Sequence, residues 1–411
     1  MKVAIESTGK KEKFMFALTN AEIETITRGR ISKGTVVVKD GKIASVGKRV
    51  QIPECAEIID LEGRLVTPGL IEAHSHAGLS EDGFPGDADY NETTEPVTPH
   101  LLAIDGFKPT DIAMLEAAGA GVTTMYLTQG SANVFCGIGA VVKTWGQSFY
   151  DQVVNPAAGM KLAMGENPKR VYGEKGKTPA TRMGIAALLR KTFTDTVNYL
   201  EKRRVHTGKR TKNKEPFEID LSLEAVARLL AGEFPARCHA HRAIDMLTFM
   251  RIAEEYEFQY TFEHATEAID ILDELVKRQI PLVIGPSMGG RSKVEVHHKT
   301  FKTVVAAVEA GLTVAVTSDH GVTPMKNLPV YAALAVREGL SEQDALKTVT
   351  IYPAKILGVE KQLGSIERGK EADLVVWKGE PLDVRSKPEK VFIRGQLVDV
   401  KATRRELFDI G

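Results

Sequence analysis

The chain is poor in cysteine. Cys55, Cys136 and Cys238 are spread over 411 residues, odd in number and without a CxxC pair. This argues against a disulfide framework and fits a reducing cytoplasm, where the protein is expected to reside. Neither sign of charge is in excess, with 54 Lys plus Arg against 54 Asp plus Glu. A nucleic acid is therefore not an expected partner. No apolar run is long enough to span a bilayer, and the first residues lack a charged-then-apolar signal pattern, so no membrane association is expected.

The chain is 43% hydrophobic, enough for one large core and a smaller attached module. Residues 1–13 are polar and lysine-rich and read as a loose end or an edge strand. Residues 14–65 then run as short alternating segments between turns. Asp40-Gly41, between the strand-like runs 34–39 and 42–46, is a hairpin signal. The same grammar returns at residues 372–377 and 390–394, with Gly395-Gln396 turning the chain into Leu397-Val398. Two β-rich ends around an α/β middle predict a small discontinuous β-sandwich, built from residues 1–65 and 358–411.

Residues 66–357 alternate strand and helix patterns. The strand candidates are 70–76, 122–128, 137–144, 160–165, 236–241, 259–264, 282–285 and 313–319. Helix patterns cover 181–204, 245–256, 268–276 and 300–310. Eight strands with intervening helices predict a (β/α)8 barrel of the TIM type, with a doubly wound sheet as the fallback. Residues 202–214 are dense in lysine and arginine and read as a solvated loop.

The chemistry-bearing residues gather at strand ends. Alternate strand residues face one side, so His74 and His76 aim two imidazoles at one point. In a barrel that side is the interior, and the C-terminal strand ends are where active sites sit. His239 and His241 end the fifth strand candidate, His264 the sixth and Asp319 the eighth. The chain has only ten histidines. Five of them, with Asp319, at the ends of predicted parallel strands point to one shared metal site.

Residues 66–76, Val-Thr-Pro-Gly-Leu-Ile-Glu-Ala-His-Ser-His, resemble the first-strand signature of the amidohydrolase superfamily. The resemblance is strongest to its imidazolonepropionase-related branch. It extends through residues 364–375, Gly-Ser-Ile-Glu-Arg-Gly-Lys-Glu-Ala-Asp-Leu-Val. It implies that His74 and His76 bind the more buried metal, that His239 and His264 are further ligands, and that Asp319 both touches metal and acts as general base. Many relatives carry a carboxylated lysine on the fourth strand that bridges two metals. Here Lys161 lies early on that strand, and Glu166 lies at its end. Glu166 is the favoured acidic ligand because a carboxylate needs no modification. The count of one or two ions depends on this choice.

His241 is a candidate catalytic or substrate-contacting residue. Arg291, on the glycine-rich loop after strand seven, is the candidate for a substrate carboxylate, with Arg170 and Arg242 as lesser ones. The loop 129–133 is a candidate pocket wall. The acidic, Pro/Gly-punctuated segment 78–99 reads as a lid. The expected function is hydrolysis of an amide-type C–N bond, linear or cyclic, in a small molecule, using metal-activated water. Zinc is the first choice of metal, with iron, manganese or nickel also compatible. Two alternatives stay open: deamination of an aminated heterocycle, and a non-catalytic structural or metal-binding barrel. A homo-oligomer is compatible with a barrel of this size.

Overall fold

A computed structural model describes residues 15–82, 86, 88–208 and 216–400. The expectation for residues 1–13 lies outside them. The strands are β1 (Met15–Glu24), β2 (Arg30–Lys39), β3 (Lys42–Gly47), β4 (Glu57–Asp60), β5 (Leu65–Pro68), β6 (Leu70–Ser75), β7 (Val122–Leu127), β8 (Phe135–Lys143), β9 (Val153–Ala163), β10 (Ala236–Ala240), β11 (Tyr260–His264), β12 (Leu282–Ile284), β13 (Val314–Val316), β14 (Leu374–Trp377), β15 (Pro388–Ile393) and β16 (Gln396–Leu397).

The chain ends meet in one sheet, ordered β16-β15-β14-β5-β1-β2-β3, with β4 also beside β1. The β2–β3 hairpin turns at Asp40 (φ 51°) and Gly41 (φ 77°), the left-handed pair that a two-residue hairpin turn demands. The two ends join where β5 and β14 pair antiparallel, from Leu65 opposite Trp377 to Pro68 opposite Leu374. β1 shifts register between Leu18 and Ala21, with Asn20 at φ 51°. Beyond that point its neighbour changes from β4 to β5. Phe16, Leu18, Val36, Val38, Leu374 and Phe392 fill a core of their own, apart from that of the barrel. This sheet continues to Pro68, past residue 65.

The second sheet runs β6 to β13 in chain order and forms a nearly closed eight-stranded barrel. Neighbours pair parallel from β9 to β13 and between β6 and β7. β8 is antiparallel to both β7 and β9, which corrects the expectation of a parallel strand at 137–144. The physical reason is the connection. Only residues 128–134 separate β7 from β8, too few for the crossover that a parallel return requires. β9 then pairs with β8 as far down as Val142 opposite Val153, so it begins well before residue 160.

Helices cover much of the outside, among them Arg182–Gly208, Leu221–Leu230, Ala243–Tyr256, Lys302–Glu309 and Leu328–Arg337. The basic stretch expected as a loop from residue 202 instead continues the helix to Gly208, with Arg204 paired to Glu201 one turn back. The rest of that stretch lies largely outside the described residues. Among the described residues no helix is long and apolar enough to cross a membrane. The three cysteines are free.

Between β13 and β6 the backbone ladder fails. Ser75 and His320 form one isolated parallel bridge, and His76 N–H donates to the His320 carbonyl at 3.0 Å. Lower down, residues 348–349 slot into the gap: the Thr348 carbonyl accepts from Val316 N–H at 3.2 Å and the Val349 carbonyl accepts from Ile71 N–H at 2.8 Å. The Glu72 carboxylate does the remaining work. It accepts from Thr317 Oγ1 (2.5 Å), Ser318 N–H (2.9 Å) and Ser318 Oγ (2.6 Å), all just before Asp319. Burial pushes Glu72 up to about 7 although these hydrogen bonds oppose it.

Candidate metal centre

The C-terminal ends of β6, β10, β11 and β13 face one end of the barrel and gather six groups there. Among the described residues, two sets have ligand atoms close enough to share an ion: His74, His76 and Asp319, and His239, His241 and His264. Asp319 Oδ1 lies 3.3 Å from His76 Nε2 and 3.6 Å from His74 Nε2. Two ligands about 2.1 Å from one tetrahedral ion lie about 3.4 Å apart. Asp319 Oδ1 is buried with no hydrogen-bond partner. His264 lies between the two sets, its ring centroid 4.8 Å from His74 and 4.5 Å from His239.

The far sides of the imidazoles are anchored. His74 Nδ1 meets Glu263 Oε2 at 2.8 Å, His76 Nδ1 meets the Thr128 carbonyl at 2.8 Å, and His264 Nδ1 meets the Gly285 carbonyl at 2.8 Å. Each acceptor fixes the proton on Nδ1 and leaves an Nε2 lone pair for a metal. His241 Nδ1 meets Thr266 Oγ1 at 2.8 Å. Burial lowers His74 to about 3, helped by Lys161, and lowers His264 to about 4. His239 and His241 are pushed well below the usual range, first by burial. Neutral imidazoles are the form that binds metal. Burial pushes Asp319 up, but His76, His264 and His74 outweigh it and hold the carboxylate ionised. The donor set therefore fits a divalent ion.

Glu263 lies on the same side as its neighbour His264. Regular strand alternation would point it away from the site. His264 and Ala265 take φ of 72° and 44°, so alternation breaks, and residues 263 and 264 both turn inward. Below, Arg237 Nε lies 2.7 Å from Glu263 Oε1 and its guanidinium covers the Tyr126 ring at 4.5 Å. Burial raises Glu263, but Arg237 and the His74 hydrogen bond outweigh it and hold it well below the carboxylate range.

At strand four the structure brings in Lys161 and not Glu166. Lys161 pairs in register with Arg237, one layer below His239, and its four-carbon stem lifts Nζ to 3.2 Å from His74 Nε2. Burial lowers its pKa, favouring the neutral amine. Glu166 starts the helix Glu166–Gly173 and lines a groove of about 580 Å³ with Arg170, Arg242 and Glu295. The physical reason is Gly165, whose φ of 81° ends the strand and swings the next residue away. Arg291 is exposed and caps its own loop, with Nε donating to the His297 carbonyl at 2.7 Å. Arg242 leans on Glu267 at 3.5 Å. The loop 129–133 reaches the rim, where Ser131 Oγ accepts from Asn167 at 2.7 Å. In the segment expected as a lid, the Tyr90 ring stacks on His76 at 5.4 Å.

Sequence reasoning missed Glu295, which arrives from the loop after β12 and lies 3.8 Å from His239 Nε2 and 3.9 Å from His241 Nε2. It sits in a short 3-10 turn with no periodicity, so no signal marked it.

A barrel whose strand ends carry imidazoles and a carboxylate in this arrangement defines a metal-dependent hydrolase class. The comparisons make the assignment specific. An amidohydrolase family profile matches residues 252–398. The structure of an amidohydrolase from Thermotoga maritima superimposes with a TM-score of 0.90, at 44% identity over 93% of this chain and 99% of that one. Amidohydrolase tasK from Hapsidospora irregularis is 31% identical over 396 residues, which are 88% of this chain; the chain spans only 39% of the length of tasK. Imidazolonepropionase from Legionella pneumophila (strain Paris) is 24% identical over 394 residues, 88% of this chain and 91% of that protein. The chain belongs to the amidohydrolase family, and its reaction class is hydrolysis of a carbon–nitrogen bond.

Proposed function

We propose that the protein hydrolyses an amide-type C–N bond of a small molecule at a centre built on His74, His76 and Asp319, with Lys161 in the strand-four place given by sequence to Glu166. The observation that carries this reading is the convergence of Asp319 Oδ1 and two anchored imidazoles within 3.3–3.6 Å. A divalent ion bound there supplies Lewis acidity toward water and toward a carbonyl oxygen. Zinc is the first choice because nitrogen and oxygen donors surround the site without thiolates. A cytoplasmic setting belongs to the same reading.

The chain's own residues do the proton work. Asp319 Oδ1 faces the space between the imidazoles, is ionised, and can take a proton from water and deliver it to the leaving nitrogen. Glu263 holds the His74 ring in place and is itself held by Arg237. It is thus engaged on its own partners and not free to shuttle protons for a deamination. The test is a hydrolysis screen of metal-analysed protein against imidazolone rings, N-acyl amino acids, dipeptides and cyclic amides, with ammonia release from aminated heterocycles in parallel. Amide turnover that disappears in Asp319→Asn is expected. Ammonia release without amide hydrolysis would overturn the reading.

A further inference from the structure

We infer that the groove beside the metal centre, lined by Glu295 and the guanidinium groups of Arg170, Arg182 and Arg242, is a subsite for a carboxylate carried by the substrate. The substrate class is then an amide with an acidic end remote from the scissile bond. The inference rests on the proposed function and names the substrate class of that same site.

The groove encloses about 580 Å³ and lies at the end of the barrel that carries the metal-centre residues. Arg170 comes from the helix Glu166–Gly173 after β9, and Arg242 directly follows His241, just beyond β10. Glu295 joins the two spaces. It lines the groove, its Oε2 accepts the Glu166 N–H at 2.9 Å, and its Oε1 faces His239 Nε2 at 3.8 Å and His241 Nε2 at 3.9 Å. Groove and imidazoles are thus one side chain apart. Val294, 67% exposed, adds apolar surface to the groove wall for the stem of such a substrate.

The donors in the groove are held in place but largely unspent. Arg182 Nε donates to the buried Asp245 Oδ1 at 2.9 Å. Arg242 Nε lies 3.5 Å from Glu267, which is itself fixed by the Ala243 N–H at 2.9 Å. Both contacts use Nε and leave the outer N–H groups without a hydrogen bond among the described residues. The Arg170 side chain has neither a hydrogen bond nor an ion pair among them. Glu166 and Glu174, acids that share the groove, pair with none of the three. Glu295 is already answered by Lys293 Nζ at 2.7 Å. A guanidinium is always charged, and its planar fork matches a carboxylate through two parallel N–H···O bonds. A carboxamide in the same place offers one acceptor oxygen and no charge, so the groove separates the two.

The experiment uses glutarate as the probe, titrated by calorimetry into zinc-loaded protein beside its neutral counterpart glutaramide and inorganic phosphate. Glutarate is expected to bind more tightly than either. Arg170→Met and Arg242→Met are each expected to keep the melting transition, weaken glutarate by about 10–100-fold and leave glutaramide unchanged. Arg291→Met, outside the groove, is expected to change neither. Arg182 is left in place because its loss would strand the buried Asp245 carboxylate. With any amide that the hydrolysis screen turns over, Arg170→Met is expected to raise KM for members ending in a carboxylate and leave kcat unchanged. Equal binding of glutarate and glutaramide, tighter binding of phosphate, or unchanged glutarate affinity in folded Arg170→Met and Arg242→Met would each overturn the inference. Amide turnover alongside any of these results would leave the proposed function standing. Arginine-dependent glutarate binding by zinc-loaded protein that turns over no amide would uphold the carboxylate subsite and overturn the proposed function.

Discussion

The two halves of the centre are held in different ways. His239, His241 and His264 stand on or just beyond β10 and β11, which pair continuously from Ala236 opposite Tyr260 to Ala240 opposite His264. Backbone hydrogen bonds fix that half. His74, His76 and Asp319 stand across the β6–β13 seam, where one bridge and the Glu72 carboxylate replace a ladder. Two strands that lack a ladder can still present ligands in register if a buried side chain ties them. The cost is that this register rests on a few side-chain atoms. Asp319, the proposed general base, lies on the side-chain-tied half, next to Ser318.

The largest effect expected on that comparison comes from the ligands themselves. Asp319→Asn should lower turnover by about 10²–10⁴-fold while the protein stays folded, read by steady-state kinetics on a substrate from the hydrolysis screen. Near-parent activity would remove Asp319 from the base role.

Next comes the anchor of the seam half. Glu263→Gln removes the charged acceptor from His74 Nδ1 and should weaken metal affinity by about 10–100-fold, measured by competition with a chelator. Unchanged affinity would mean that the ring is set by packing alone.

The seam itself is tested by Glu72→Gln. An amide cannot accept from every donor that faces Glu72, so the variant should lose about 1–3 kcal/mol of stability in denaturant titration. Its pH dependence has a definite sign. Glu72 is raised from 4.5 to about 7, so the native state binds its proton more tightly, and this contribution to stability is lost as pH rises through that window. Glu72→Gln should flatten that slope. A slope unchanged between pH 4.5 and 7 would show that the seam does not depend on this carboxylate.

The smallest effect is expected at Arg291. Its guanidinium caps its own loop at the surface, so Arg291→Ala should shift stability by no more than about 0.5 kcal/mol and leave KM unchanged. A KM rise confined to carboxylate-bearing substrates would restore the role its sequence position suggested.

These contrasts also show what a sequence can and cannot reveal. The histidine positions were legible because strand alternation is a local rule: His74 with His76, and His239 with His241, keep their spacing in any register. The pairing of the chain ends was legible for the same reason, through the Asp40-Gly41 hairpin and the alternating runs at both ends. The direction of β8 was not, because it depends on the length of one connection rather than on the strand's own residues. Lys161 and Glu166 were hard to rank from sequence because reach matters as well as position; a long side chain one layer down meets His74, whereas Glu166 at the strand end is turned away at Gly165. Glu263 needed the left-handed backbone at His264, which no side-chain pattern announces. Glu295 needed a loop path across the barrel mouth, which is set entirely by tertiary packing.

In the proposed centre one divalent ion lies between His74, His76 and Asp319. Anomalous diffraction from crystals of zinc-loaded protein, recorded at the zinc edge, tests it most directly. A peak is expected within bonding distance of His74 Nε2, His76 Nε2 and an Asp319 carboxylate oxygen. A zinc-loaded protein whose anomalous map shows no peak among these three residues would contradict it.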